Sequence, residues 1–155
     1  FEDLRIPFAA VATDAVSGEA CIFDKGRVSH AICASTAIPG IIKPYKLGGR
    51  LFVDGAVVSP VPVALAKSMG ADIVIAVDLS APHRTEPKTF VASILQTIEM
   101  MSKKIVTDEL QLADFVLRPV FTPDKVSFKH SAYNIAMGEK AANEALDAIR
   151  RKLNG

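Results

Sequence analysis

The residue whose type and position could do chemistry is Asp54, which follows an apolar run and precedes a glycine. Leu51–Val53 has the β-branched and aromatic content of a buried strand. A carboxylate held at the end of a rigid strand can orient or deprotonate a nucleophile. It can also accept hydrogen bonds from local backbone N–H groups in a turn, which is a common use of aspartate. The residue types alone leave both interpretations open.

The neighbours of Asp54 indicate how it is positioned. Gly48-Gly49 separates two apolar-containing runs and predicts a tight hairpin turn before the strand, because glycine accepts a positive φ without steric cost. Gly55 has no Cβ, so another backbone or side chain can come close to the strand end. Pro62 then suits the first turn of a helix.

Several blocks of the sequence resemble the patatin-like phospholipase family, in its bacterial form, in both order and spacing. They are Ile6-Pro7-Phe8, Ala12-Thr13-Asp14, Ala34–Gly40, Val53–Pro62 and Gly70–Asp78. The likeness is close over roughly the first half of the chain and looser over the helices that follow.

This resemblance implies a serine acyl hydrolase that uses a Ser–Asp dyad on a lipid or acyl ester substrate. The family aspartate lies in an Asp-Gly-Gly or Asp-Gly-Ala motif, which the sequence matches at Asp54, Gly55 and Ala56. The resemblance therefore implies that Asp54 is catalytic and that Gly55 and Ala56 are its motif neighbours. A dyad needs no histidine, cofactor or metal, so His30, His83 and His130 are expected to be non-catalytic.

The family nucleophile lies in Gly-x-Ser-x-Gly, a motif that this sequence does not contain. None of its ten serines has glycine two residues before and two residues after. Residues 1–155 are therefore interpreted as the C-terminal part of a single patatin-like domain, without the N-terminal part that carries the nucleophile and the oxyanion loop. We expect the chain to be inactive alone and to need that missing segment as its partner. The alternative is a non-catalytic binding or structural module of the same fold.

Apolar runs alternating with helical patterns predict an α/β fold. Three runs, Ile6–Ala12, Leu51–Val53 and Ile73–Val77, are expected to share one largely parallel sheet, with helices on both faces in a three-layer, incomplete domain. Asp14, Asp54 and Asp78 follow these runs and could line one site at the sheet edge. Turn capping is the interpretation that we keep for Asp14 and Asp78.

The remaining patterns predict further elements. Strands are expected at 20–23 and 115–119, the latter at a sheet edge, and a polar loop at 81–88. Helices are expected at 28–35, 62–69, 90–105, 108–113 and 132–153.

Composition limits the classes of function. A net charge of +1 gives no reason to expect nucleic acid binding, and no apolar run approaches the ~20 residues that span a bilayer. We expect a cytoplasmic protein that makes at most transient, peripheral contact with a membrane surface. Cys21 and Cys33 form no metal-ligand pattern, so they are interpreted as buried thiols in a reducing compartment. The high apolar content indicates surface that packs against missing partners.

Overall fold

The computed structural model describes residues 1–80, 86–122 and 128–154. They form two compact units, of which the first comprises Phe1–Pro62 and Glu86–Asp108. The second comprises the described residues of Val63–Thr85 and Glu109–Gly155. In chain order the elements are β1 (Ala10–Asp14), β2 (Ala20–Phe23), α1 (Val28–Ser35), β3 (Tyr45–Leu47), β4 (Arg50–Asp54), a 3-10 helix (Gly55–Val57), α2 (Val63–Ser68), β5 (Ile75–Val77), α3 (Phe90–Leu110), β6 (Phe115–Leu117), a second 3-10 helix (Phe128–His130) and α4 (Ser131–Asn154).

The first unit is built on a four-stranded sheet in the order β2-β1-β4-β3, and every neighbouring pair is antiparallel. Short turns connect β1 to β2 and β3 to β4, and such connections are possible only between antiparallel strands. Gly48 and Gly49 have φ angles of 56° and 79°, the left-handed pair that a two-residue hairpin requires. The predicted hairpin is confirmed.

The prediction of one largely parallel sheet is wrong for this unit. Its two hairpins impose antiparallel pairing, and β1 also pairs with β4 in the antiparallel sense. The predicted strand at Ile73–Val77 is observed as β5 and pairs in parallel with β6, but in a separate two-stranded sheet. The expectation that it shares a sheet with Leu51–Val53 is therefore also wrong. The coarser prediction, a mixed α/β chain, is confirmed.

The core of the first unit lies between α1 and one face of the sheet. Ala34 on α1 packs against Ala12 and Phe52, all of them buried. The ring of Phe23 meets that of Phe52 edge to face, with 5.2 Å between centroids, a favourable aromatic geometry. Strand β1 is buried along its whole length. The strand that carries Asp54 thus pairs with the most buried strand of the unit.

The second unit pairs β5 with β6, and α4 contacts β6. Asp114 ties the start of this ladder together, because its Oδ2 accepts the Val74 N–H at 2.9 Å while its own N–H donates to the Val74 carbonyl. A residue far along the sequence caps the first turn of α2: the Ala64 N–H donates to Oε2 of Glu109 at 2.8 Å. Gly70, with φ 91°, follows α2 as predicted.

Three further expectations need correction. The strand expected at Ile6–Ala12 begins only at Ala10, because Ile6 and Phe8 are 77% and 41% exposed and precede β1. Pro7 between them has no N–H to donate to a strand ladder. The helices expected at 90–105 and 108–113 form one helix, α3, since no glycine or proline interrupts that stretch. Cys33 is exposed and Cys21 only half-buried, so the expectation of two buried thiols is wrong. Residues 81–85 of the expected loop lie outside the described residues.

Candidate functional site

Asp54 is the last residue of β4 and the N-cap of the 3-10 helix that follows. Its side chain is partly buried, and Oδ1 accepts the N–H of Ala56 at 2.8 Å. This is the turn interaction expected of a strand-end aspartate. Within the described part of the chain, Oδ2 has no hydrogen-bond partner. The geometry therefore satisfies the turn with one carboxylate oxygen and leaves the other available.

Both backbone groups of Asp54 are also held. Its N–H donates to the carbonyl of Ala37, in the loop after α1, at 3.0 Å. Its carbonyl accepts the hydroxyl of Thr13, on β1, at 2.9 Å. Because separate segments fix the two sides of the residue, the direction in which the carboxylate leaves the strand is set by the fold rather than by the turn alone.

Gly55 lies directly against the backbone of β1. A Cβ at this position would lie 2.7 Å from the carbonyl carbon of Val11 and closer still to its oxygen. No side chain fits there without moving one of the two strands. The sequence-based inference that Gly55 permits a close backbone approach is confirmed.

Asp14, at the end of β1, uses both carboxylate oxygens. Its Oδ1 accepts the N–H groups of Val16 and Ser17, and its Oδ2 accepts Nε of Arg50 at 2.8 Å. The bonds from Ser17 and Val16, together with the Arg50 guanidinium, lower the pKa of Asp14 from 3.8 to about 2. This carboxylate is a turn cap in an ion pair, as the sequence-based interpretation states.

Asp78, after β5, is bonded in the same way. Its Oδ1 accepts the N–H of Ser80 at 3.0 Å and its Oδ2 accepts Nε of Arg118 at 3.1 Å. Burial raises the pKa of Asp78, but the bonds from Ser80 and Arg118 outweigh it and hold the pKa below its ordinary value. Turn capping is confirmed here too.

The structure does not bring the three carboxylates together at one sheet edge. Asp14 lies opposite Phe52 and Asp54 lies opposite Ala12, so the two leave their strands at opposite ends of the paired segment. Asp78 belongs to the other unit. The expectation of a shared edge fails because it assumed parallel strands, whose carboxyl ends coincide.

The histidines have different surroundings. Nδ1 of His30 lies within hydrogen-bond distance of the Tyr45 hydroxyl, which joins α1 to β3. His130 is exposed at the end of the second 3-10 helix, and His83 lies outside the described residues. That none of them is catalytic stays a prediction. Over residues 1–80, 86–122 and 128–154, no group of three His, Cys, Asp or Glu side chains could hold a metal ion.

Sequence reasoning missed Thr13 and the carbonyl of Ala37 as groups that hold Asp54. A signal for Thr13 was present: it is a polar residue directly after the apolar run that ends at Ala12. A buried hydroxyl must find a hydrogen-bond acceptor, but sequence alone does not show which one. The Ala37 carbonyl carries no signal in the sequence.

Part of the chain is similar to known proteins. Residues 1–67 match the model of the patatin-like phospholipase family, a range that includes Asp54 and its motif. A segment of 79 residues, 51% of this chain, is 46% identical to an uncharacterized NTE family protein of Mycobacterium tuberculosis, of which it covers 22%. Segments of 87 and 91 residues, 55% and 57% of the chain, are each 31% identical to patatin-like phospholipase domain-containing protein 7 of Rattus norvegicus and protein 6 of Homo sapiens, covering 6% and 7% of them.

A segment of the chain is thus similar to the patatin-like phospholipase family, and the resemblance inferred from the sequence is confirmed. The matched segments span about a fifth of the length of the mycobacterial relatives and under a tenth of the mammalian ones. Bacterial proteins are among the relatives. No helix in the part of the chain that the structure describes is long and apolar enough to cross a membrane.

Proposed function

We propose that this chain supplies the aspartate of a Ser–Asp dyad in a patatin-like serine lipid acyl hydrolase of the phospholipase or esterase type. The observation that carries the proposal is the bonding of Asp54. Its Oδ1 is held by the Ala56 N–H, while no described residue bonds its Oδ2. Asp14 and Asp78 occupy similar strand ends but have both oxygens committed to turns and arginines.

In acylation, Oδ2 of Asp54 accepts the proton of the serine hydroxyl as the serine oxygen attacks the ester carbonyl. The tetrahedral intermediate that forms carries a negative oxygen, which an oxyanion hole stabilises. When the intermediate collapses, the bond between the carbonyl carbon and the alcohol oxygen breaks. The proton passes from Asp54 to the leaving alcohol, and an acyl-serine remains.

In deacylation, water takes the place of the alcohol. Asp54 accepts a proton from the attacking water, a second tetrahedral intermediate forms, and its collapse breaks the bond to the serine oxygen. The proton returns to that oxygen and the fatty acid leaves. The aspartate ends each cycle as it began, so no cofactor is required.

The nucleophile and the oxyanion loop come from a segment outside these residues, because this sequence has no Gly-x-Ser-x-Gly. By itself the chain is therefore inactive. That same observation favours one other candidate, a non-catalytic binding or structural module of the same fold. The two candidates differ in what Asp54 does when a complete serine motif is supplied.

The proposed substrate is a lipid or another acyl ester, which the enzyme meets through transient contact with a membrane surface in the cytoplasm. Two observations support this: the mammalian relatives are named patatin-like phospholipase domain-containing proteins, and the chain exposes apolar residues. Nucleic acid is not a proposed partner, because the net charge is only +1.

Complementation tests the proposal. The purified chain alone should hydrolyse a short p-nitrophenyl ester no faster than background, because Asp54 has no nucleophile to activate. A segment that carries the serine motif and oxyanion loop should restore hydrolysis with the wild-type chain and not with Asp54→Asn. Hydrolysis by the homogeneous chain alone, or equal restoration by Asp54→Asn, would contradict the proposal.

A further inference from the structure

We propose that Thr13 is a positioning residue for Asp54, an inference that rests on the proposed function. Thr13 is 2% exposed on the fully buried strand β1. Its hydroxyl donates to the backbone carbonyl of Asp54 at 2.9 Å, across 41 residues of sequence. It acts on the aspartate through the backbone and does not contact the carboxylate.

The bond from Thr13 lies where the chain leaves β4, so it affects the direction of the residues that follow Asp54. Thr13 lies opposite Val53 in the β1–β4 ladder, and Asp54 is where β4 leaves the sheet and becomes the N-cap of the 3-10 helix. The bonded carbonyl belongs to the peptide that joins Asp54 to Gly55. A peptide unit is planar and moves as one body, so fixing its oxygen fixes where the chain goes next.

The next N–H along the chain is the one that holds the carboxylate. The Ala56 N–H donates to Oδ1 of Asp54 at 2.8 Å. If the peptide between Asp54 and Gly55 rotates, the Ala56 N–H moves relative to the side chain that it orients. The Thr13 hydroxyl therefore sets the direction of Oδ2, the oxygen that accepts the serine proton in the proposed mechanism.

The competing explanation is that Thr13 merely satisfies a buried hydroxyl. Valine has nearly the volume of threonine and a high strand propensity, so at a purely structural position it would lose only the bond to the Asp54 carbonyl, which lowers stability without lowering turnover per folded molecule. A positioning role predicts a loss of turnover that greatly exceeds the loss of stability. Substitutions at this residue can thus separate the two explanations.

The experiment compares Thr13→Val, Thr13→Ser and Ser102→Ala in the chain combined with the segment that carries the serine motif and oxyanion loop, with kcat and KM measured on a short p-nitrophenyl ester. Thr13→Val should lower kcat by about ten- to a hundredfold with KM within about twofold, because misplacing a catalytic group slows the chemical step. Thr13→Ser keeps the hydroxyl and should recover most of the rate. Ser102, in α3, also donates a buried hydroxyl to a backbone carbonyl, so Ser102→Ala controls for the loss of such a bond.

Hydrogen–deuterium exchange supplies a second readout. In Thr13→Val, peptides spanning residues 54–59 should exchange faster than in the wild type, while those of β2 should not change. If Thr13→Val proves unfolded, Thr13→Ala removes the same hydroxyl and takes its place in both measurements.

The inference is overturned if Thr13→Val turns over at the wild-type rate, if Thr13→Ser is as slow as Thr13→Val, or if kcat falls with no change in exchange at 54–59. Asp54→Asn in the same protein separates this failure from that of the proposed function. If Asp54→Asn loses turnover while Thr13→Val keeps it, only the positioning role of Thr13 is contradicted. If Asp54→Asn keeps its turnover, or the combined wild-type protein hydrolyses no ester, both the role of Thr13 and the proposed function are contradicted.

Discussion

At the scale of single residues, the second carboxylate oxygen distinguishes the three strand-end aspartates. Each accepts a backbone N–H from two residues further along the chain. In Asp14 and Asp78 this bond engages Oδ1, and the side chains of Arg50 and Arg118 engage Oδ2, so both oxygens have partners. Asp54 has no such arginine among the residues described. The three aspartates thus share one local turn geometry, and in the proposed mechanism the absence of an arginine leaves Oδ2 of Asp54 available to accept a proton.

The titration of Asp14 tests this account of the arginine. Its pKa is lowered from 3.8 to about 2, so its contribution to stability is present in full above pH 3.8 and is lost as the pH falls through about 2. Arg50→Met should raise the pKa of Asp14 but leave it below 3.8, because the bonds from Ser17 and Val16 remain. Carboxyl NMR titration measures both midpoints.

The control for this titration is Arg5→Met, which removes a cation from an exposed position where no ion pair involves it in the described residues. The midpoint of Asp14 should then stay at its wild-type value. An unchanged midpoint in Arg50→Met, or an equal shift in Arg5→Met, would contradict the assigned cause.

At the scale of elements, the junction of β1 and β4 holds the candidate site. Ala37 and Thr13 hold the backbone of Asp54 from two sides, and Gly55 rests on the backbone of Val11. The pairing of a buried strand with the strand that carries the aspartate thus sets the position of the carboxylate. Changes in the spacing of this pair should affect both stability and the site.

Gly55→Ala tests the close approach. The added Cβ meets the Val11 carbonyl, and forcing extra volume into a packed position costs roughly 1–3 kcal/mol of unfolding free energy. Gly138→Ala is the matched control, since a Cβ there meets nothing within 4 Å inside α4 and should stabilise the helix by up to about 1 kcal/mol. Urea denaturation measures both. A Gly55→Ala protein as stable as the wild type would show that the strands are free to separate.

Local elements were predictable because their signals are local. The bounds of β2 and α1 follow from composition and punctuation, and Gly48-Gly49 predicts its hairpin turn. Whether the strands pair in the parallel or the antiparallel direction was not predictable, because an apolar run such as Leu51–Val53 has the same composition in both arrangements. The two short turns contained the missing information, since a hairpin fixes antiparallel pairing.

The candidate site was predictable only in part, for a related reason. Asp54 and Gly55 are visible in the sequence as a carboxylate at a strand end and a residue without a Cβ. The groups that hold them, Thr13 and the Ala37 carbonyl, come from segments brought close by long-range pairing. Periodicity and composition contain no information about such pairs.

At the scale of the whole molecule, the described residues divide into two compact units, and the candidate aspartate lies in the first. The match to the family model, over residues 1–67, also falls within that unit and the start of the next. That residues 1–155 form part of a single patatin-like domain stays a prediction. In the proposed enzyme, the first unit supplies the base and a further segment supplies the serine.

The measurement that tests the central claim most directly is the turnover of Asp54→Asn combined with the segment that carries the serine motif and oxyanion loop, with thermal unfolding followed in parallel. Asparagine can still accept the Ala56 N–H but cannot take a proton from serine, so kcat should fall by about two to four orders of magnitude while the melting temperature stays close to that of the wild type. Asp78→Asn, at a similar turn, is the control and should keep its turnover per folded molecule. An Asp54→Asn protein that melts normally and hydrolyses the ester at the wild-type rate would contradict the assignment of Asp54 as the base of the dyad.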